Sequence, residues 1–169
     1  LWLGISVNGD AEMTPREAVA VPAMASRVNQ PVLTLLGEKT CSNCGETVEE
    51  NLTTGWYDVK GVNTDDPIQV KVTTHGGPVL VQMTARFQLN EPAKNFCGFW
   101  VNGKRYHISG LSEYQSDYGC SGSYLITDLP AGTYTFTAQG FVRTPASRTM
   151  KWVLERQIAV YEFLSPENQ

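Results

Sequence analysis

The sequence is short of basic charge, of histidine, of long apolar runs and of helical periodicity, and each shortage excludes something. Thirteen Lys and Arg stand against 17 Asp and Glu, a net charge of −4 over 169 residues. A surface that tracks phosphates needs clustered basic residues, so nucleic acid is not an expected partner. No apolar run approaches the ~20 residues of a membrane-spanning helix. There are two histidines, His75 and His107, and neither adjoins a recognisable nucleophile. Gly-x-Ser-x-Gly, His-Glu-x-x-His and a phosphate-binding glycine loop are absent, so neither an enzyme nor a bound cofactor is expected. Helix signals are confined to Thr14-Pro15-Arg16-Glu17, where a cap, a first-turn proline and a closing Glu coincide before Pro22 intervenes. The chain opens on Leu1 rather than Met, and the expectation is a processed product whose leader has gone.

What is present is strand pattern. Composition is 41% hydrophobic and 18% charged, enough apolar material to bury a core and too little charge for disorder. Leu1, Leu3, Ile5 and Val7 alternate with Trp2, Gly4 and Ser6, the period of a half-buried strand. Val32, Thr34 and Leu36 suggest a second strand ended by Gly37, and residues 38–55 read as polar and turn-rich. Ile68, Val70 and Val72 alternate next. Val79, Val81, Met83, Ala85, Phe87 and Leu89 form the longest strict alternation, with Gln82, Thr84, Arg86 and Gln88 between them, an antiparallel pattern with one dry face. Phe99-Trp100-Val101 enters Asn102-Gly103, a strong two-residue hairpin signal, and Arg105 to Ile108 is the return. Residues 109–123 read as a Gly/Ser/Tyr-rich loop. Thr133 to Phe141 is strand-like in composition, and a last strand over about Met150 to Phe163 carries an interruption at Glu155 and Arg156 that predicts a bulge or bend. Short strands with turn signals every 8–15 residues or so predict an all-β antiparallel sandwich. Residues 1–27 form a strand and extension, and residues 28–169 the sandwich domain.

The stretch Asp128-Leu129-Pro130-Ala131-Gly132-Thr133-Tyr134-Thr135-Phe136, followed by a final strand ending Ile158-Ala159-Val160-Tyr161-Glu162-Phe163, resembles the C-terminal strands of jelly-roll domains of the complement globular-head and tumour-necrosis-factor type. Similar heads occur on virus and phage fibres. The resemblance covers about residues 56–164 and implies a two-sheet jelly roll that often packs as a trimer. Residues 1–55 have no counterpart in it.

Four cysteines, Cys41, Cys44, Cys97 and Cys120, permit three pairings. An even count in a loop-rich β protein favours disulfides and an oxidising compartment, with Cys41–Cys44 and Cys97–Cys120 the preferred pairs. A four-cysteine zinc site competes, but only one half of the usual Cys-x-x-Cys pair of pairs is present, and no metal site is expected. Free thiols are the third possibility. Asn51-Leu52-Thr53 is the only N-glycosylation pattern. Asn63-Thr64-Asp65-Asp66 reads as a capped turn, without the spacing of a calcium loop.

Two binding readings follow. Tyr106, Tyr114, Tyr118 and Tyr124 cluster near Trp100, and aromatic and small polar residues together make an adaptable recognition surface. Tyr114 and Tyr118 are the candidates for stacking on a sugar, against the alternative that these rings are core or loop cover. The alternating Leu1, Leu3, Ile5 and Val7 can instead leave its own domain and complete a neighbour's sheet, giving a filament if open and a ring or trimer if closed. The sequence is thus read as a non-enzymatic structural subunit of an extracellular or virion-surface filament, fibre or capsid-associated assembly, with copies of itself as partners. A carbohydrate- or receptor-binding head is the alternative.

Overall fold

The computed structural model describes residues 2–3, 17–18, 31–42, 44–63, 65–108 and 112–165, with side chains from 31 onward except in 112–116. Every regular element among them is a strand. Trp2–Leu3 (β1) and Glu17–Ala18 (β2) pair antiparallel, Trp2 opposite Ala18 and Leu3 opposite Glu17. Glu17 therefore extends rather than closing a helical turn, since a strand partner overrides a weak helix signal. Leu1, Ile5 and Val7 lie outside the described residues.

All other strands belong to one ten-stranded antiparallel sheet. They are Val32–Cys41 (β3), Thr47–Leu52 (β4), Gly55–Asp58 (β5), Gln69–Thr74 (β6), Val79–Val101 (β7), Lys104–His107 (β8), Ser112–Ile126 (β9), Gly132–Arg143 (β10), Arg148–Trp152 (β11) and Arg156–Leu164 (β12). The 23-residue β7 organises the fold. Its first half lies between β12 and β9, Met83 opposite both Ile158 and Gly122. Its second half lies between β10 and β8, Phe99 opposite both Ala138 and Tyr106. Register shifts against β9 between Gln88 and Asn95 mark the bend between the halves, as bulges do.

The two halves close on one core. Val81, Met83, Ile158 and Val160 are buried in one apolar cluster with Phe99, Phe136, Ala138 and Trp152. Burying each large side chain contributes roughly 1.5–3 kcal/mol. Gly37 marks where β3 approaches β6: a Cβ there would meet Val70 at 2.9 Å. The strand does not end at Gly37, as its sequence suggested, but slips register there (Val160 opposite Gly37, Tyr161 opposite Leu35) and runs on to Cys41.

Other boundaries differ from the sequence reading for physical reasons. Residues 38–55 contain the end of β3, all of β4 and the start of β5, because pairing with β12, β11 and β10 supplies order that the polar composition hides. Residues 109–123 are mostly strand β9, which pairs with β7 from Val79 to Asn95. The final strand is two: β11 and β12 flank a break at which Leu154 takes φ +57°. The hairpin at Asn102-Gly103 has φ +47° and +76°, the positive pair of a type I′ turn.

Candidate functional site

Two outward faces carry the unusual chemistry. On the first half of the sheet, the residues out of phase with the core point to solvent. Cross-strand register aligns Leu35, Tyr161, Leu80 and Leu125 in one row across β3, β12, β7 and β9, with Leu33 and Phe163 paired beside it. Leu33, Leu35 and Leu125 are 43%, 47% and 48% exposed. A contiguous apolar row of this kind is a docking signal, whereas scattered surface leucines are not.

The row ends at an edge. Among the described residues β3 pairs on one side only, with β12. Its first half, Val32-Leu33-Thr34-Leu35-Leu36, has no charged residue, and Glu38 and Lys39 lie beyond it. Edges are ordinarily guarded by charge, proline or a bulge; here Pro31 stands just before the strand, and charge and bulge come only from Leu36 onward. A recess of about 510 Å³ continues the row, lined by Pro31, His75, Gly77, Pro78, Leu125 and Phe163. Its floor is held by Glu162. That buried carboxylate accepts the backbone N–H groups of His75 at 2.8 Å and Gly77 at 2.9 Å, and meets His75 Nδ1 at 3.0 Å.

On the second half of the sheet an aromatic platform faces out. Register brings Trp56, Phe141 and Phe96 side by side across β5, β10 and β7. Phe96 stacks on Phe141 at 4.3 Å and on His107 at 5.0 Å, and Trp56 meets Phe96 edge-on at 5.1 Å. The Arg105 guanidinium lies over Trp100 at 4.8 Å and over Trp56 at 5.5 Å. A polar ladder runs beside the rings. Arg105 Nε donates to Gln139 Oε1 at 3.2 Å, and Gln139 Nε2 donates to Asp58 Oδ1 at 2.8 Å. Gly98 sits among them because β8 crosses so closely that a Cβ would collide with the Tyr106 carbonyl.

The residues singled out from sequence are dispersed. Cys41 and Cys44 lie at disulfide distance, as do Cys97 and Cys120, with Cα separations of 5.5 and 6.5 Å. The second pair joins β9 to the far half of β7 across the core. Tyr118 is buried against Phe87, ring centroids 5.4 Å apart, so its ring is core and not a surface stacking site. Tyr114 lies in β9, and its side chain is outside the described residues. Tyr124 is exposed and packs on Tyr106 at 5.1 Å. Asn51 is exposed at the end of β4 with φ +60°. Asn63 Oδ1 accepts the Asp65 N–H at 3.0 Å, a capped turn, while Asp66 meets Lys39 at 3.3 Å.

Sequence reasoning missed the aromatic platform. The available signal was phase: Phe96 and Phe141 alternate with core neighbours, so a strand reading places them on the wet face, where large rings are unusual.

Titration is perturbed at few groups. Burial raises the Glu49 carboxyl above its ordinary value, against the opposing pull of Lys60 and the nearby Trp152 indole; neither Glu49 Oε2 nor Trp152 Nε1 completes a hydrogen bond by geometry. Burial lowers the Arg156 guanidinium, whose Nη2 donates to the Gly45 carbonyl at 2.7 Å. Arg86 holds the Asp117 carboxyl below its usual range through a surface pair. None of these lies on the platform or in the recess.

No family model and no curated protein matches the chain. Among solved structures it is similar to chains of infectious bursal disease virus. One, from the Gx strain, is 6% identical with a TM-score of 0.43, over 95% of this chain and 43% of that one. Another, from the Gt strain, is 8% identical with a TM-score of 0.40, over 95% of this chain and 42% of that one. This chain therefore spans less than half the length of either, and function is argued from its own residues.

Proposed function

We propose that the protein is a non-enzymatic structural subunit of an extracellular or virion-surface assembly, joined to copies of itself by strand pairing at β3. The observation that carries this is the charge-free first half of that edge, which among the described residues pairs on one side only and is continuous with an exposed apolar row and a recess. A strand added there gains backbone hydrogen bonds along Val32–Leu36 and packs alternate side chains toward Leu33, Leu35 and Phe163. The donor is the alternating Leu1, Leu3, Ile5, Val7 segment of a neighbouring copy, brought in together with the Glu17–Ala18 strand that Trp2–Leu3 pairs with. Repeated from copy to copy, this head-to-tail contact is heterologous and grows without limit unless symmetry closes it. Cysteine pairs at disulfide distance fit an oxidising location.

Light scattering on fractionated protein at several concentrations, without reductant, tests this. The full chain is expected to show mass that grows with concentration. Deletion of residues 1–7, and separately Leu35→Lys, are expected to leave monomer. A full chain that stays monomeric throughout, or a deletion that assembles like its parent, contradicts the proposal.

A further inference from the structure

The platform on the second half of the sheet shares no residue with the strand-pairing edge, and its chemistry is specific. We propose that it binds an acidic saccharide: a pyranose ring packs on the half-buried aromatic cluster and its carboxylate or sulfate is met by arginine.

Three observations converge. First, the rings are arranged as a surface. Trp56, Phe96, Phe141 and Trp100 are half-buried and His107 is exposed, so the cluster presents area to solvent while its members brace one another. An aromatic face is electron-rich and attracts the C–H-bearing face of a sugar. Second, the polar groups beside the rings are already ordered. Gln139 is 8% exposed and bridges Asp58 to Arg105. Arg105 spends Nε on that bridge and its guanidinium lies over two indoles, which leaves its Nη groups to meet an anion. Asp58 Oδ1 takes the amide, and Oδ2 is the acceptor for a sugar hydroxyl. Fixed donors and acceptors lose little entropy on binding.

Third, the charge of this face runs against the chain as a whole. The protein carries −4, yet exposed Arg143 stands two residues along β10 from Phe141, and Arg105 flanks the other side. Asp58 is the one carboxylate in this set. A cationic face on an acidic protein selects an anionic ligand, and Arg recognises a carboxylate or sulfate through paired N–H groups. Single-stranded nucleic acid also stacks on rings beside arginines. It is disfavoured because disulfide-distance cysteines fit an extracellular setting, and because the cations form two flanks and not a track.

The test titrates the full chain with 3′-sialyllactose, a hyaluronan hexasaccharide and a heparin hexasaccharide, reading tryptophan fluorescence. Lactose and cellohexaose are the neutral controls and oligo(dT) the nucleic-acid control. A saturable change with at least one acidic probe, at least tenfold weaker for Arg105→Ala and several-fold weaker for Trp56→Phe, is expected. Arg105 is exposed, so its variant should keep the parent's far-ultraviolet circular dichroism and report on binding alone. Leu35→Lys should bind like the parent, which separates this site from the assembly edge. No saturable response, equal binding of the neutral sugars, tighter binding of oligo(dT), or binding unchanged in Arg105→Ala would each overturn the proposal.

Discussion

Replacing Cys97 and Cys120 together by Ala should cost more stability than the same change at Cys41 and Cys44. The two lie 23 positions apart, and closing a loop of that length removes about 3 kcal/mol of unfolded-state freedom. Both positions are buried, at 0% and 4% exposure, so the lost sulfurs also leave voids worth on the order of 1 kcal/mol each. The expected loss is about 4–5 kcal/mol, the upper part of the range for removing a native disulfide. Cys41 and Cys44 are only 3 apart, and the same loop expression gives about 2 kcal/mol. Urea titration followed by tryptophan fluorescence, without reductant, measures both. A loss under 1 kcal/mol for the Cys97/Cys120 variant, or a larger loss for Cys41/Cys44, would refute the cross-core staple.

Further changes probe the same framework. Glu162→Ala removes the acceptor of two backbone N–H groups at the recess, and a loss of about 3 kcal/mol by urea titration is expected; an unchanged midpoint would contradict the clamp. Arg156→Met replaces a buried cation that has no carboxylate partner among the described residues, and should be neutral or stabilise by about 1–3 kcal/mol; marked destabilisation would reveal an ion pair. Leu154→Gly relieves a positive φ at an exposed side chain and should stabilise by about 0.5–1 kcal/mol in the same assay. The Glu49 carboxyl is raised on folding, so its contribution is fully present below its unfolded value and lost as pH rises through its higher folded value. Glu49→Gln should therefore gain on the parent as pH rises from the acid side through that window, and thermal unfolding across pH reads it; a pH-independent difference would contradict the shift.

Where the fold was legible in sequence, each residue's phase agreed with its polarity. Val81 to Leu89 alternates without exception because β7 is half-buried along that stretch, and Asn102-Gly103 reads as a hairpin because few other residues accept two positive φ values in a row. Strand β9 escaped for the opposite reason. Its outward positions are Gly119, Ser121 and Ser123, and its inward ones include Cys120 and Gly122, so alternation is present in space but nearly invisible in hydrophobicity. Residues 38–55 likewise take their order from partners far along the chain, β11 and β12. The aromatic platform draws Trp56, Phe96, His107 and Phe141 from four strands, and only pairing assembles them. The apolar row is similar: Leu33, Leu80, Leu125 and Phe163 are unremarkable singly and become a surface through register.

Hydrogen exchange of the β3 amides as a function of protein concentration tests the central claim most directly. If copies pair at this edge, the amides of Val32–Leu36 should exchange quickly in dilute protein and become protected as concentration rises, while core amides of β7 stay slow throughout. Amides of Val32–Leu36 that exchange alike at every concentration, in samples whose mass has grown, would mean that assembly uses another surface.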